Sequence, residues 1–195
     1  MRQAKMNRKT QETEISINLT LEGDGKATVA TGIGFLDHML TLLARHASLD
    51  LEVMANGDLQ VDGHHTVEDI GIVLGQVIAR AMGDKRGIRR YGNATVPMDE
   101  ALVTSALDIS GRPFLVFNVQ FANEMVGDFA TQLTEEFFRA VAFNAGMTLH
   151  LNCLYGQNDH HKIEGVFKAF ARSLNEATSI DPVRANVILS TKGVL

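Results

Sequence analysis

The sequence contains the pattern His-His-x-x-Glu twice, over residues 64–68 and, 96 positions later, over residues 160–164. If each copy is helical, its second histidine and its glutamate lie three positions apart and share one face. An imidazole and a carboxylate that converge in this way suit a divalent transition metal. The first histidine points about 100° away, and we expect it to reach a different site. The repetition therefore predicts two metal sites, each at the start of a helix.

Eight residues are candidate metal ligands, and six of them come from the seven histidines of the chain. They are His38, His64, His65, Glu68, His150, His160, His161 and Glu164. Eight ligands divide into two clusters of four, which leaves positions on each ion for substrate or water. We predict two sets: His65, Glu68, His38 and His160 on one ion, and His161, Glu164, His64 and His150 on the other. The alternative, surface and helix-capping histidines, is disfavoured because the carboxylate is duplicated as well.

A second group of candidate residues is cationic and is suited to phosphate. Arg90 comes shortly after a glycine, Arg112 lies in a Ser-Gly-Arg-Pro string, and Ser190 and Lys192 lie in a Ser-Thr-Lys-Gly string. In an acidic chain, such arginines can hold a phosphate through paired hydrogen bonds, and the terminal string adds hydroxyl, backbone and ammonium donors. The alternative for any one of them is a solvated loop charge. His46 also has two interpretations: it caps the end of a helix, or it contacts substrate.

Composition and charge exclude several classes of protein. The net charge of −5 disfavours a general role in nucleic-acid binding. The single cysteine permits no disulfide within the chain and is consistent with a reducing compartment. No apolar run approaches the length of a membrane span, and the N-terminal residues form no apolar signal segment. We therefore expect a cytoplasmic protein that binds neither nucleic acid nor membranes.

The sequence around the two doublets repeats over a longer range. Apolar residues step by 3, 4, 4 and 3 positions from Val67 to Ala81 and again from Ile163 to Ala177, which predicts two amphipathic helices. Further predicted elements are helices at 35–43 and 133–141 and strands at 13–19, 27–30, 49–53, 102–109, 114–119 and 148–154. Residues 22–25 form a predicted turn, from which the strand at 27–30 returns.

Each half of the chain therefore has the predicted order β-β-α-β-α, with an extra strand at 91–97 that joins the halves. Strands and helices that mix without strict alternation indicate an α+β fold. The only plausible boundary lies at 83–87, and no proline-rich linker separates the halves. We expect one catalytic domain over residues 1–195, made of two repeated halves at about 1–84 and 88–195.

Several longer strings resemble those of imidazoleglycerol-phosphate dehydratases, and the resemblance runs from end to end. The strings are Arg8–Thr13, Thr31–Leu40, His64–Asp69, Arg90–Gly92, Met98–Ala101, Ser110–Pro113, the second doublet with its glutamate, and Ser190–Leu195. The resemblance implies two Mn(II) ions per subunit, held in His/Glu sites at the contacts between subunits of a 24-mer. One departure is Ile188-Leu189, where the family often has a proline, and it concerns only the shape of that loop.

The resemblance also implies a reaction, the loss of water from imidazole glycerol phosphate to give imidazole acetol phosphate in histidine biosynthesis. No carbonyl acidifies the carbon that loses its proton, so a carboxylate base alone is too weak. The imidazole ring of the substrate, held by the metals as an imidazolate, offers a route for expelling the hydroxyl. His65, Glu68 and Glu164 are among the catalytic ligands of those metals. A carboxylate then completes proton transfer. The resemblance places Glu12 at the substrate, and Asp99 is the next candidate.

Two rival functions use the same candidate ligands. A metal store has no need of a phosphate-binding set such as Arg90, Arg112 and Lys192. A two-metal phosphohydrolase favours bridging carboxylates, whereas this chain offers six histidines to two glutamates. An assay that compares the keto product with free phosphate separates all three functions.

Overall fold

The structure is a computed structural model that describes residues 1–195, and its elements repeat in the same order in the two halves. The first half contains β1 (Gln3–Lys9), β2 (Thr13–Thr20), β3 (Ala27–Ala30), α1 (Gly34–Ala47), β4 (Asp50–Gly57) and α2 (His64–Met82). The second contains β5 (Tyr91–Met98), β6 (Ala101–Asp108), β7 (Phe114–Asn118), the short pair β8 (Met125–Val126) and β9 (Phe129–Ala130), α3 (Leu133–Ala145), β10 (Thr148–Tyr155) and α4 (Asp159–Thr178). A 3-10 turn, Pro182–Arg184, precedes the C-terminal tail.

Each half forms one four-stranded sheet, and the two sheets have equivalent strand orders. The first sheet runs β1-β2-β4-β3 and the second β5-β6-β10-β7. The predicted α+β class and the internal duplication are therefore confirmed, and both doublets open a helix as predicted.

Two details of the predicted repeat are wrong. The strand β5 does not join the halves, because it is the counterpart of β1, so each half has the order β-β-β-α-β-α. The sequence concealed β1 because its residues alternate between exposed and half-buried and none is buried. The strand β3 does not return along β2 either. It pairs in parallel with β4, which lies between them.

The four helices lie between the two sheets and share one core. Helix α2 packs on β1 and β2 and against α3 of the other half, while α4 packs on β5 and β6 and against α1. A single cluster of 45 buried apolar residues extends through both halves. No helix has both the length and the apolar character that crossing a membrane requires.

Two glycines allow α2 and α3 to approach closely. A Cβ added at Gly71 would lie 2.8 Å from the carbonyl oxygen of Phe137, and one at Gly75 would lie 2.6 Å from that of Val141. Contacts this short do not occur between real Cβ atoms and backbone oxygens, so any side chain here would force the helices apart.

The β8–β9 pair is an insertion that the sequence did not predict, and it ties the second half to the first. The side chain of Asp128 accepts hydrogen bonds from the backbone N–H groups of Gly34 (2.8 Å) and Phe35 (3.2 Å). These are unsatisfied donors at the start of α1, where Ile33 provides no side-chain cap. The neighbouring Phe129 is buried and packs on Phe35 with ring centroids 5.5 Å apart.

Replacing Gly75 with alanine tests the close approach of α2 and α3. Alanine favours a helix over glycine by about 1 kcal/mol, but overpacking of this interface should outweigh that gain and lower the unfolding free energy by about 2 kcal/mol. Urea unfolding at a fixed protein concentration measures the change. Ala79→Gly, on the same helix, calibrates the propensity term. A Gly75→Ala protein more stable than the original would contradict this account.

Candidate metal and substrate site

Three candidate ligands meet between α1 and α4. The Nε2 atoms of His38 and His160 lie 3.7 Å and 3.2 Å from the same carboxylate oxygen of Glu164. One ligand atom from each residue lies within 4.8 Å of the others, a spacing that a single metal ion can bridge. Glu164 is buried, whereas both histidines are accessible at the rim. The ring of Phe35 supports His160 edge-on, at 5.2 Å between centroids.

This arrangement shows that the predicted pairing of His161 with Glu164 is wrong, as is the separation of Glu164 from His38 and His160. On a helix, a residue four positions earlier is rotated by about 40°, against about 60° for one three positions earlier. The first histidine of the doublet is therefore the one that meets the glutamate. The membership of the eight-ligand set remains a prediction, but its division between two ions changes.

The second histidine of each doublet points to carboxylates instead. His65 places Nδ1 at 2.9 Å from Asp58, and His161 places Nδ1 at 2.7 Å from Glu100. These hydrogen bonds are the main reason that the pKa of each of the two imidazoles is raised. Glu100 also accepts the backbone N–H groups of Asn158 and Gln157, and together with His161 these lower its pKa to about 2.

The two candidate proton-transfer carboxylates lie on the other side of these rings. Glu12, in the β1–β2 turn, has a carboxylate oxygen 3.9 Å from Nε2 of His65. Asp99, in the β5–β6 turn, has one 3.7 Å from Nε2 of His161. Both acids are solvent-exposed, so they are available to a bound molecule.

At the start of each of these helices, a side chain accepts the backbone N–H of a doublet histidine. Asn158 accepts the backbone N–H groups of His160 and His161, and Asp62 accepts that of His64 at 2.8 Å. The next residue after Asn158, Asp159, is buried and bonds Lys162 at 2.8 Å. Burial opposes ionisation of Asp159, but bonds from Lys162, from Asn123 and from the backbone lower its pKa to about 2. These contacts fix where each helix starts and hence where its histidines point.

Five of the eight predicted ligands lie outside the cluster around Glu164: His65 and His161, which face other carboxylates, and His64, Glu68 and His150. His64, Glu68 and His150 have no set of neighbouring candidate ligands comparable to the one around Glu164. His150 is exposed on β10 between the buried Leu149 and Leu151. Since the helices cover the buried face of that sheet, His150 projects away from them.

Lys168 is a site residue that the sequence reasoning missed. Its Nζ lies 2.5 Å from Oε1 of Glu164, one helical turn earlier. Burial opposes ionisation of Glu164, but hydrogen bonds from Lys168 and His160 outweigh it, and the pKa is lowered. The pKa of His46 is lowered by burial first, and then by the charges of Lys168 and Arg172. The sequence signal for the Glu164–Lys168 pair was an acid and a base four residues apart on a predicted helix.

The predicted phosphate-binding residues gather at one end of the second sheet, but they are not equivalent. Arg90 is 13% exposed, and it donates two hydrogen bonds to Asp108, at 2.7 and 3.1 Å, and one to the carbonyl of Leu189. Arg112 is 67% exposed and only approaches Asp108, at 3.8 Å. Arg90 therefore holds the tail in place, whereas the guanidinium of Arg112 is accessible.

The tail brings Ser190 and Lys192 to the same end. The hydroxyl of Ser190 accepts the backbone N–H of Lys192 at 3.2 Å, which orders the Ser-Thr-Lys-Gly turn. The terminal Leu195 lies so close to the Arg112 loop that a Cβ on Gly111 would be 3.0 Å from its carbonyl carbon. The same loop contacts β10, because the Thr148 hydroxyl donates to the carbonyl of Arg112 at 3.0 Å. Thr148 lies two residues, or about 7 Å, from His150 on one face.

Replacing Arg90 and Arg112 in turn separates these roles. Arg90→Ala leaves the largely buried Asp108 without its partner and should lower the unfolding free energy by about 2 kcal/mol. Arg112→Ala should change it by less than about 0.5 kcal/mol because that pair is exposed. Urea unfolding provides the measurement, with Arg90→Lys as the control that keeps the charge but loses the paired bonds. Equal losses from both alanine variants would contradict the distinction.

Comparisons with known proteins agree on one family. The imidazoleglycerol-phosphate dehydratase family profile matches residues 31–174. An imidazoleglycerol-phosphate dehydratase of Acetivibrio thermocellus is 57% identical over 194 residues, covering 100% of this chain and 99% of the relative. One from Azorhizobium caulinodans is 59% identical over 195 residues, with the same coverages.

Solved structures lead to the same family. The crystal structure of the Staphylococcus aureus enzyme matches with a TM-score of 0.84 and 43% identity, covering 92% of this chain and 99% of that one. That of the Pyrococcus furiosus enzyme, in complex with (S)-C348, matches with a TM-score of 0.81 and 37% identity, covering 97% and 100%. The matches cover at least 92% of this chain in sequence and in fold, and the protein therefore belongs to the imidazoleglycerol-phosphate dehydratase family.

Proposed function

We propose that this chain is a hydro-lyase that removes water from imidazole glycerol phosphate to give imidazole acetol phosphate in histidine biosynthesis. Membership of the family supports this reaction. The structural observation that carries it is the meeting of His38, His160 and Glu164 around a point that one ion can occupy. A phosphohydrolase or a metal store fits less well, because imidazole donors outnumber carboxylates and because cations are gathered at the second sheet.

The residues around Glu164 fit a divalent transition metal. Two imidazoles and a carboxylate form a mixed nitrogen and oxygen donor set, which suits Mn(II) and its neighbours. We propose two Mn(II) ions per subunit, held by the eight ligands of the predicted set. When bound, the ion supplies Lewis-acid stabilisation of negative charge on the imidazole ring of the substrate.

The carboxylates that face the second histidines supply the proton transfers. Dehydration takes a proton from one carbon and a hydroxyl from its neighbour, and the resulting enol becomes the ketone of the product. We assign acceptance of the carbon-bound proton to Glu12, because it is exposed and its carboxylate lies 3.9 Å from Nε2 of His65. Asp99 has the corresponding place beside His161 and is the second candidate.

The phosphate is the part of the substrate that the cationic residues bind. Arg112 and Lys192 supply exposed positive charges, Ser190 a hydroxyl, and Arg90 a guanidinium that also holds the tail through Asp108 and Leu189. His46 contributes to substrate binding on the other side, near Lys168. A dianion held by several charge-assisted donors fixes the orientation of the reacting carbons.

We further propose that the active sites form between subunits of a homo-oligomer of 24 chains in the cytoplasm. His150 projects from the outer face of the second sheet, so it can ligate an ion only together with residues of another chain. The cluster around Glu164 supplies three ligands, which leaves room for donors from a neighbour. Each chain acts as one catalytic domain built from its two halves, because both contribute to a single core.

Loss of single ligands tests the metal assignment and its link to assembly. Glu164→Gln should weaken Mn(II) binding by more than about tenfold, because the ionised oxygen is lost. His150→Asn should weaken it as well, although this residue lies on the opposite face of the sheet. Electron paramagnetic resonance of free Mn(II) measures both, with His46→Gln as the control that keeps its metal. Full metal affinity in the His150 variant would remove it from the ligand set.

Glu12→Gln tests the proton-transfer assignment. The amide keeps the size of the side chain but cannot accept the proton, so kcat should fall by about 100-fold or more, with metal content and particle size unchanged. Glu14→Gln is the matched control, since Glu14 is exposed and is bonded to Lys9. The assay follows imidazole acetol phosphate and free phosphate together. Near-normal turnover would transfer the role to Asp99, and phosphate release without ketone would overturn the dehydratase assignment.

A further inference from the structure

The second histidine of each doublet is held in the same way, although the two halves use different residues to do it. In both, Nδ1 is within hydrogen-bond distance of a carboxylate, Asp58 for His65 and Glu100 for His161. In both, Nε2 lies near a solvent-exposed carboxylate, 3.9 Å from that of Glu12 for His65 and 3.7 Å from that of Asp99 for His161. Asp58 follows β4, whereas Glu100 lies in the β5–β6 turn, so the carboxylates do not occupy equivalent positions in the repeat.

Backbone N–H groups hold the Glu100 carboxylate in place, whereas the Asp58 carboxylate has His65 as its only hydrogen-bond partner. Asp58 is 17% exposed, and its backbone N–H donates to the carbonyl of Glu12 at 3.1 Å. Glu100 accepts the backbone N–H groups of Asn158 and Gln157 on Oε1, at 2.7 and 3.0 Å, and leaves Oε2 for His161. A carboxylate held in this manner sets the orientation of the ring that donates to it.

An imidazole has two distinct nitrogens, and the partner of one determines the use of the other. A neutral ring that donates its Nδ1–H to a carboxylate presents an unprotonated Nε2, which is the form that binds a metal. The hydrogen bond also restricts rotation of the ring, so less conformational freedom is lost when the ion binds.

We propose that Asp58 and Glu100 are positioning residues that accept the Nδ1–H of His65 and His161 and so present Nε2 of each ring as a metal ligand. This inference rests on the proposed metal-dependent function. It adds two residues that act through the ligands, and it names the coordinating nitrogen of each second histidine. Because the same arrangement arises from unrelated positions in the two halves, it is not a by-product of the duplication.

Glu100→Gln provides the sharper of the two tests. The amide oxygen stays with the backbone N–H groups of Asn158 and Gln157, so the amide NH₂ must face His161. That group donates to Nδ1 and favours the ring form with its proton on Nε2. In this form Nε2 cannot bind a metal. The start of α4 keeps its acceptor, so the fold should be unaffected.

The expected result is a 10- to 100-fold weaker Mn(II) affinity at one class of site, with an unchanged thermal midpoint of the metal-free protein. Mn(II) binding is measured by electron paramagnetic resonance on the full-length assembled protein. Glu176→Gln is the matched control, because Glu176 accepts a backbone N–H from Asn93 at 2.8 Å but contacts no histidine. Asp58→Ala should produce the corresponding loss through His65.

A double-variant comparison separates positioning from general structure. In a His161→Ala background the ring is absent, so adding Glu100→Gln should weaken Mn(II) binding no further. Unchanged affinity in Glu100→Gln alone, or an additional loss in the double variant, would overturn the positioning role while leaving the dehydratase assignment intact. Failure of the unaltered protein to bind Mn(II) would instead overturn the metal-dependent function and this inference together.

Discussion

Adjacent residues on an α-helix point about 100° apart, and this angle determines how each histidine pair can be used. In the second pair, the first member, His160, faces Glu164, which lies one turn later on the helix. His38 of α1 faces the same glutamate. The second member is directed sideways, to the carboxylates of the sheet turns. One short motif therefore directs its two imidazoles two ways, so its candidate ligands can serve two different sites. Placement of the doublet at the very start of the helix makes this possible, because no preceding turn covers the rings.

The sequence predicted the duplicated α+β architecture because the buried positions of α2 and α4 have the same spacing. It did not reveal β1, whose residues alternate between exposed and partly buried, or the neighbours of β3, because periodicity indicates a strand but not its partner. The candidate ligands were visible as residue types, yet their pairing was not. Spacings of three and four are both compatible with one helix face, and the side-chain direction decides between them.

The cationic residues show a second limit of reasoning from local patterns. Arg90 is predicted to bind phosphate, and the structure adds that its guanidinium also bonds Asp108, 18 positions away, and the tail. Lys168 was overlooked because it was interpreted only as part of an amphipathic helix. Its hydrogen bond is the largest of the contacts that lower the pKa of the buried Glu164. In both cases the role of a charged residue depends on its ion-pair partner, because an unpaired buried charge costs free energy. The fold determines which residue that partner is.

The contact between Asp128 and the start of α1 has an evolutionary consequence. A protein formed from two copies of the first half would lack the β8–β9 insertion. The N–H groups of Gly34 and Phe35 would then have no Asp128 carboxylate to which to donate. The helix that carries His38 is therefore completed by a segment present in only one of the repeats. Once this dependence arose, the halves could no longer return to being interchangeable. Separating the two halves would leave the start of this helix without its carboxylate acceptor.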